Sequence, residues 1–178
     1  MNILFTGANG FLGKNVIPHI SKDNKIYSLD LSKADFTCNI SNQIPDFKEF
    51  EFDIVFHAAG KAHSIPKNLT EEKIFFDINE TGTKNLCRAL EANELPKTFI
   101  FISTVAVYGV EYGELIDENY PLNGQTPYAK SKINAEFFLK DWCEKNKVKL
   151  IILRPSLISG KNPPGNLGDM IRGIKTGK

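Results

Sequence analysis

Five short, strongly apolar runs punctuate the chain: NILFT at 2–6, IYSLD at 26–30, DIVFH at 53–57, TFIFIS at 98–103 and KLIIL at 149–153. Their apolar residues are contiguous rather than alternating, the pattern of strands covered on both faces. The segments between them read as helices. FLGKNVIPHIS (11–21) follows the first run, with Pro18 placed to end or kink it. NLTEEKIFFDINETGTKNLCRALEAN (68–93) follows the third, and Asn68 with Glu71 makes a capping-box-like start. TPYAKSKINAEFFLKDWCEKN (126–146) precedes the last, with Thr126 as cap and Pro127 at the first helical position. Alternation of strand and helix predicts an α/β fold, a doubly wound parallel sheet with helices on both faces. After Leu153 the pattern gives way to Gly and Pro, with a short helix expected near Leu167. The expected division is a first domain over 1–155 and the incomplete start of a second region over 156–178, in what reads as the N-terminal part of a longer protein.

Composition narrows the partners. The chain has 178 residues, 22 basic and 21 acidic, for a net charge of +1. Its lysines are scattered, so no basic stripe argues for nucleic acid. No apolar run is long enough to suggest a membrane span. MNILFTG leads directly into the first strand, without the pattern of a signal peptide. Cys38, Cys87 and Cys143 stand far apart, with neither metal-ligand spacing nor a disulfide framework. The expectation is three reduced thiols, no metal site and a cytoplasmic location.

The loop after the first strand changes the picture. Residues 6–13 read TGANGFLG. Gly7 permits a tight turn, Gly10 lets a pyrophosphate approach the backbone, and Gly13 allows the helix to pack closely on the sheet. The helix start offers free N–H groups and a partial positive charge to phosphate. The spacing is G-x-x-G-x-x-G rather than the commoner G-x-G-x-x-G. A triphosphate-binding P-loop fits less well: it needs Gly at Ala8 and a hydroxyl at Asn15. Asp30 ends the second strand at about the distance expected of a carboxylate on the adenosine ribose. It would repel a 2′-phosphate, and no Arg follows it, so NAD is favoured over NADP.

The strand at 98–103 runs into STVAVYG, which puts the hydroxyls of Ser103 and Thr104 at a strand C-terminus, where ligands bind in parallel sheets. TPYAKSK then sets Tyr128 and Lys132 one turn apart on a single helix face. Those residue types suit alcohol–ketone oxidoreduction. A free tyrosine, with a pKa of about 10, is a poor base at neutral pH. A lysine ammonium and a positive nicotinamide ring would both favour its phenolate. Tyr128 would take the hydroxyl proton while hydride leaves carbon, and Thr104 would bond the same hydroxyl.

Together TGANGFLG, Asp30, FHAAGKAH (56–63), NETGTKNL (79–86), STVAVYG, PYAKSK and LRPSLISG (153–160) span nearly the whole chain. With them the sequence resembles the extended short-chain dehydrogenases, the NAD-dependent epimerase/dehydratase group acting on nucleotide sugars. The resemblance implies a Rossmann-like fold, catalytic roles for Thr104, Tyr128 and Lys132, and a homodimer paired through the two long helices, with Phe137, Phe138 and Leu139 as contributors. It implies cofactor contacts from Gly7, Gly10, Phe11, Leu12, Gly13, Asp30, Tyr128 and Lys132. Asn39 and Ile40 would contact adenine, although the family more often has Asp at the first of these. Ala58, Ala59 and Gly60 would pass under the dinucleotide.

The family's sugar 4,6-dehydratases carry Asp-Glu after the catalytic Thr. Here those positions are Val105 and Ala106, neither of which moves a proton, so dehydration is disfavoured. The expected activity is a UDP-sugar 4-epimerase or a related 4-keto reductase, with a non-catalytic dinucleotide sensor as the other class. Other residues carry weaker expectations. His57 reads as structural, His63 as a candidate for the substrate cleft, and Phe75 and Phe76 as core or interface aromatics. Asn79 reads as a helix residue bonding a neighbouring loop near the site, and Arg154 as either a substrate or a structural residue.

Overall fold

A computed structural model describes residues 1–62 and 64–177. Six strands form one parallel sheet: β1 (Asn2–Thr6), β2 (Lys25–Asp30), β3 (Phe36–Thr37), β4 (Ile54–His57), β5 (Thr98–Ile102) and β6 (Lys149–Leu153). Their spatial order is β3-β2-β1-β4-β5-β6. The order reverses between β1 and β4. Right-handed crossovers therefore set α1 (Phe11–Ile20) on one face, with α2 (Leu69–Phe76), α3 (Gly82–Leu90) and α4 (Pro127–Asn146) on the other. A ligand crevice is expected at the reversal, outside the strand C-termini. α5 (Gly165–Lys175) lies where the short helix near Leu167 was expected.

The main core lies under α3 and α4. Leu4, Val55, Phe99 and Phe101 from the sheet meet Leu86, Leu90, Leu139 and Trp142 from the helices, all nearly or fully buried. Each such side chain contributes roughly 1.5–3 kcal/mol through burial. The opposite face is thinner. Phe5 and Phe56 stack there at 4.6 Å, but in β4 and β5 alternate residues are only half-buried. The sequence predicted cover on both faces. Among the described residues the β4–β6 half of this face is only partly covered, because, of the crossover helices, the order reversal places only α1 on that side.

Local chemistry explains the helix boundaries. Asn68 caps α2 by accepting from the Glu71 amide at 2.9 Å. Glu71 accepts from the Lys67 backbone amide at 2.8 Å rather than from that of Asn68, one residue beyond the standard box, while its other oxygen accepts from the Asn68 side-chain amide at 3.4 Å. Thr126 caps α4 by accepting from the Ala129 amide at 3.1 Å. Pro18 neither ends nor sharply limits α1, which continues to Ile20. It falls in the last turn, where its missing N–H removes one hydrogen bond only. The long helical stretch expected over 68–93 is not uniform. A π-helical segment, Asp77–Thr81, joins α2 to α3. Such insertions recur at functional sites, and this one carries the buried Asn79.

Candidate active site

Gly7 turns with φ +72°, and a Cβ there would come within 2.8 Å of the Ala59 nitrogen. Its amide donates to the Leu29 carbonyl at 2.9 Å, tying the loop to β2. Gly13 is needed for a different reason from the one expected. A Cβ there would lie 2.2 Å from the Ala8 carbonyl oxygen, so the constraint is the helix meeting its own loop. Gly10 caps α1 without any side-chain cap, and the first turn holds no acidic residue. The opening N–H groups of that helix are thus left facing the crevice, which suits a bound phosphate.

Asp30 stands at the end of β2. One carboxylate oxygen accepts from the Asn9 amide at 2.8 Å and the other from the Leu31 amide at 2.7 Å. With Asn39, Ile40, Ala58 and Ala59 it lines a cavity of about 390 Å³. Asn39 accepts from both the amide and the hydroxyl of Ser41. Ile40 is held from behind: Asn85 of α3 donates to its carbonyl at 2.8 Å. Beside this cavity lies a second of about 450 Å³, lined by Phe11, Leu12, Lys61, Thr104, Tyr128 and Lys132 among others. Gly7, Gly10, Ala58 and Gly60 border both, so the two make one continuous cleft. Its two lobes and the open helix end between them fit a dinucleotide, with adenosine against Asp30 and the reactive end against Tyr128. The structure brings every residue singled out for cofactor contact to this cleft except Gly13, which acts on the loop behind it.

At the second lobe, Lys132 is buried and its ammonium donates to the Ile102 carbonyl at 2.8 Å. It lies 4.6 Å from the Phe101 ring centre. Burial pulls its pKa from the ordinary 10.5 down to about 8, with the Glu136 charge opposing. A Cβ on Gly60 would fall 3.0 Å from Asn79 Oδ1 and 3.1 Å from Lys132 Nζ, so the loop passes where only glycine fits comfortably. Thr104 accepts from the Ala106 amide at 3.2 Å, and its hydroxyl lies close enough to Tyr128 to act on the phenol. Tyr128 is partly buried, and burial raises its pKa above 10 while the Thr104 hydroxyl works the other way. This differs from the sequence expectation. Lys132 sends its ammonium to a strand carbonyl, so in the protein alone the tyrosine stays a phenol at neutral pH.

The weaker expectations also resolve. His57 is fully buried between Thr6 Oγ1, at 2.6 Å, and Thr83 Oγ1, at 2.9 Å. Burial, then the Lys132 charge, lowers its pKa to about 3, so it is a neutral structural bridge. Asn79 bonds the Lys61 backbone from both ends of its amide and donates to Ser131 of α4 at 2.9 Å. It thereby joins the cleft loop to the helix of Tyr128 and Lys132. Phe75 is buried and packs near Tyr128, with ring centres 6.2 Å apart. Arg154 is structural: it pairs with Glu136 at 2.7 Å and also donates to the Tyr108 hydroxyl and the Glu118 carbonyl. His63 lies outside the described residues. Of the three aromatic and aliphatic neighbours on α4, Leu139 is core, Phe138 is partly buried and Phe137 alone is exposed. Sequence reasoning missed Asn9 and Lys61. For Asn9 the signal was its place inside the glycine loop.

Among the described residues no carboxylate lines the lobe that holds Tyr128 and Lys132. That lobe can position an alcohol or carbonyl oxygen between Thr104 and Tyr128. It offers no second acid and base for eliminating water. Among the described residues no helix is long and apolar enough to cross a membrane, and no cluster of metal-ligating side chains occurs.

Comparison with known proteins agrees with this geometry. An N-acetyl-alpha-D-glucosaminyl-diphospho-ditrans,octacis-undecaprenol 4-epimerase of Escherichia coli O157:H7 is 33% identical over 99% of this chain and 55% of its own length. A dTDP-4-dehydrorhamnose reductase structure from Clostridium acetobutylicum superposes with a TM-score of 0.81 at 29% identity, covering 99% of this chain and 60% of that one. A Thermus thermophilus UDP-glucose 4-epimerase in complex with NAD gives a TM-score of 0.74 at 27% identity, over 86% of this chain and 54% of that one. The chain therefore spans little more than half the length of such relatives. The model of the NAD dependent epimerase/dehydratase family matches residues 3–178, and the chain belongs to that family.

Proposed function

We propose that the full-length protein is a cytoplasmic NAD-dependent 4-epimerase of nucleotide sugars, of the UDP-sugar class. The observation that carries the reading is the second lobe of the cleft. Thr104, Tyr128 and Lys132 converge there from the end of β5 and from α4, beside a dinucleotide-shaped crevice and with no carboxylate among the described lining residues to support dehydration. Residues 1–155 form the cofactor domain in this reading, and 156–178 begin the sugar-binding region. Bound NAD⁺ would supply the hydride acceptor and a positive ring. Thr104 would orient the C4 hydroxyl, Tyr128 would remove and return its proton, and Lys132 would hold the phenolate's charge in balance. Epimerisation needs the ketone to be re-reduced on its other face, so the sugar must turn within a pocket that this chain only begins.

The direct test is to incubate full-length protein with NAD⁺ and UDP-glucose or UDP-N-acetylglucosamine and to follow inversion at C4 by proton NMR. A polyprenyl diphospho-sugar belongs in the same assay, because the Escherichia coli relative is named for one. Inversion without net NADH supports the proposal. Stoichiometric NADH consumption with a 4-keto sugar would make it a reductase. Tight cofactor binding without turnover on any sugar would favour a sensor.

Two further outcomes follow from this reading. NAD⁺ is expected to bind more tightly than NADP⁺, because both oxygens of Asp30 are fixed by backbone donors at the ribose end of the cleft. Asp30→Ala should shrink the preference. Calorimetry showing equal or tighter NADP⁺ binding would overturn the assignment. The second outcome is a homodimer through α2 and α4, where Leu69, Ile74 and Phe137 are exposed. A monomeric mass by light scattering at micromolar concentration would count against it.

A further inference from the structure

Glu136 is a fully buried carboxylate that takes no part in the chemistry proposed above. It lies on α4 one turn beyond Lys132 and two turns beyond Tyr128, on the same face. One oxygen accepts from the Ser103 hydroxyl and from Arg154 Nε, and the other from Arg154 Nη2 at 2.7 Å. Ser103 precedes Thr104 at the end of β5. Arg154 follows β6 and also donates to the Tyr108 hydroxyl at 3.0 Å and the Glu118 carbonyl at 2.9 Å. The backbone completes the frame: the Ser103 amide bonds the Leu153 carbonyl, and the Val105 amide bonds the Pro155 carbonyl. One carboxylate thus joins the helix bearing Tyr128 and Lys132 to the strand end bearing Thr104. It also joins it to the segment whose Pro155 and Ser156 line the cleft.

A buried ion pair is weak evidence for stability, since apolar residues of the same shape often serve as well. Its place here has another reading, which the geometry offers. Resting on the active-site reading above, we infer that Glu136 is a positioning residue that fixes the spacing between Thr104 and the Tyr128–Lys132 pair. It has a second, electrostatic consequence. Among the described residues the groups around the Lys132 ammonium include Glu136 from its own helix, His57 from β4, the Ile102 carbonyl and Phe101 ring from β5, and Asn79 Oδ1 across Gly60. Arg154 stands beyond Glu136. His57 is neutral at working pH, with a pKa near 3. Glu136 is therefore the group opposing the burial that strips Lys132 of its proton.

The test uses full-length protein and the variants Glu136→Gln, Ser103→Ala and, as control, Tyr128→Phe. Glu136→Gln keeps the shape, removes the charge and turns one donor against Arg154. Misplacement of reacting groups by about 1 Å is enough for a loss on the order of 10²-fold. The expected result is a kcat lowered by roughly 10–100-fold, with KM and the NAD⁺ dissociation constant changed by no more than about threefold. The alkaline limb of the kcat/KM profile should move to lower pH, because Lys132 gives up its proton sooner. A merely structural role would lower the melting temperature and leave that limb in place. A folded Glu136→Gln protein with native kcat and an unmoved limb overturns the inference. Should that variant fail to fold, Ser103→Ala decides, because it leaves the Glu136–Arg154 pair whole. It should lower kcat without moving the limb, and native kcat overturns the inference. If Tyr128→Phe also keeps native turnover, it is the active-site reading that has failed.

Discussion

Tyr128→Phe in the full-length protein is expected to lose turnover by roughly 10²–10⁴-fold, the usual cost of removing a general base. The substitution deletes one hydroxyl. The ring remains beside Phe75, so the fold and NAD⁺ binding should survive. The size of the loss depends on the phenol acting as a base, which the protein alone does not favour. Burial holds its pKa above 10, and only the Thr104 hydroxyl pulls it down. A positive ring brought into the second lobe would add the missing attraction, since an opposite charge within a few Å favours the ionised form. Adding NAD⁺ should therefore produce phenolate absorbance near neutral pH in the parent protein and less of it in Tyr128→Phe. Near-native turnover of Tyr128→Phe on the true substrate would sink the mechanism. The same loss of turnover without any NAD⁺-induced phenolate would sink the cofactor's part in it.

The parts of the fold that sequence made legible share a physical trait: each depends on neighbours in the chain. β1 is bounded as its apolar run predicts, and Thr126 and Asn68 cap the helices they precede. The glycine loop was readable because Gly7 takes a positive φ and Gly13 answers to a clash with Ala8, whereas the close approach of Ala58 and Ala59 to Gly7 is a distant contact that was not readable. Features that depend on distant partners were not readable. Arg154 stayed undecided because its partner, Glu136, comes from a different element 18 residues earlier. β3 is a two-residue pairing with β2, too short to leave an apolar signature. The π segment carries ordinary helical residues, and only the buried Asn79 bonds reveal why an inserted residue is tolerated there. The tyrosine's environment was misread for the same reason. Spacing placed Lys132 beside Tyr128, but the direction of its ammonium is set by the end of β5.

Lys132→Met should act in opposite directions on stability and on function. In the folded chain the lysine's pKa falls from 10.5 to about 8, so the fold disfavours its charged form. Below pH 8 the lysine is protonated whether folded or unfolded, and the penalty is fully present. Between pH 8 and 10.5 the folded chain releases the proton first, and the penalty fades. At 1.36 kcal/mol per pH unit the difference corresponds to about 3 kcal/mol. Methionine avoids that penalty but gives up the Ile102 hydrogen bond and the Phe101 contact, so a net gain of about 1–2 kcal/mol is expected at pH 7. For a chain of this size that corresponds to several degrees in melting temperature, at roughly 2–4 °C per kcal/mol. Near pH 10 the gain should largely vanish. Turnover should fall at every pH, and NAD⁺ binding should weaken, because the cleft loses the cation that faces Gly60. A lower melting temperature for Lys132→Met at pH 7, with the same gap at pH 10, would show that the buried ammonium is not a burden on the fold. The opposite result identifies a charge that stability alone would discard. A group retained against stability, at the end of a cleft and beside a tyrosine, is what a chemical role would require.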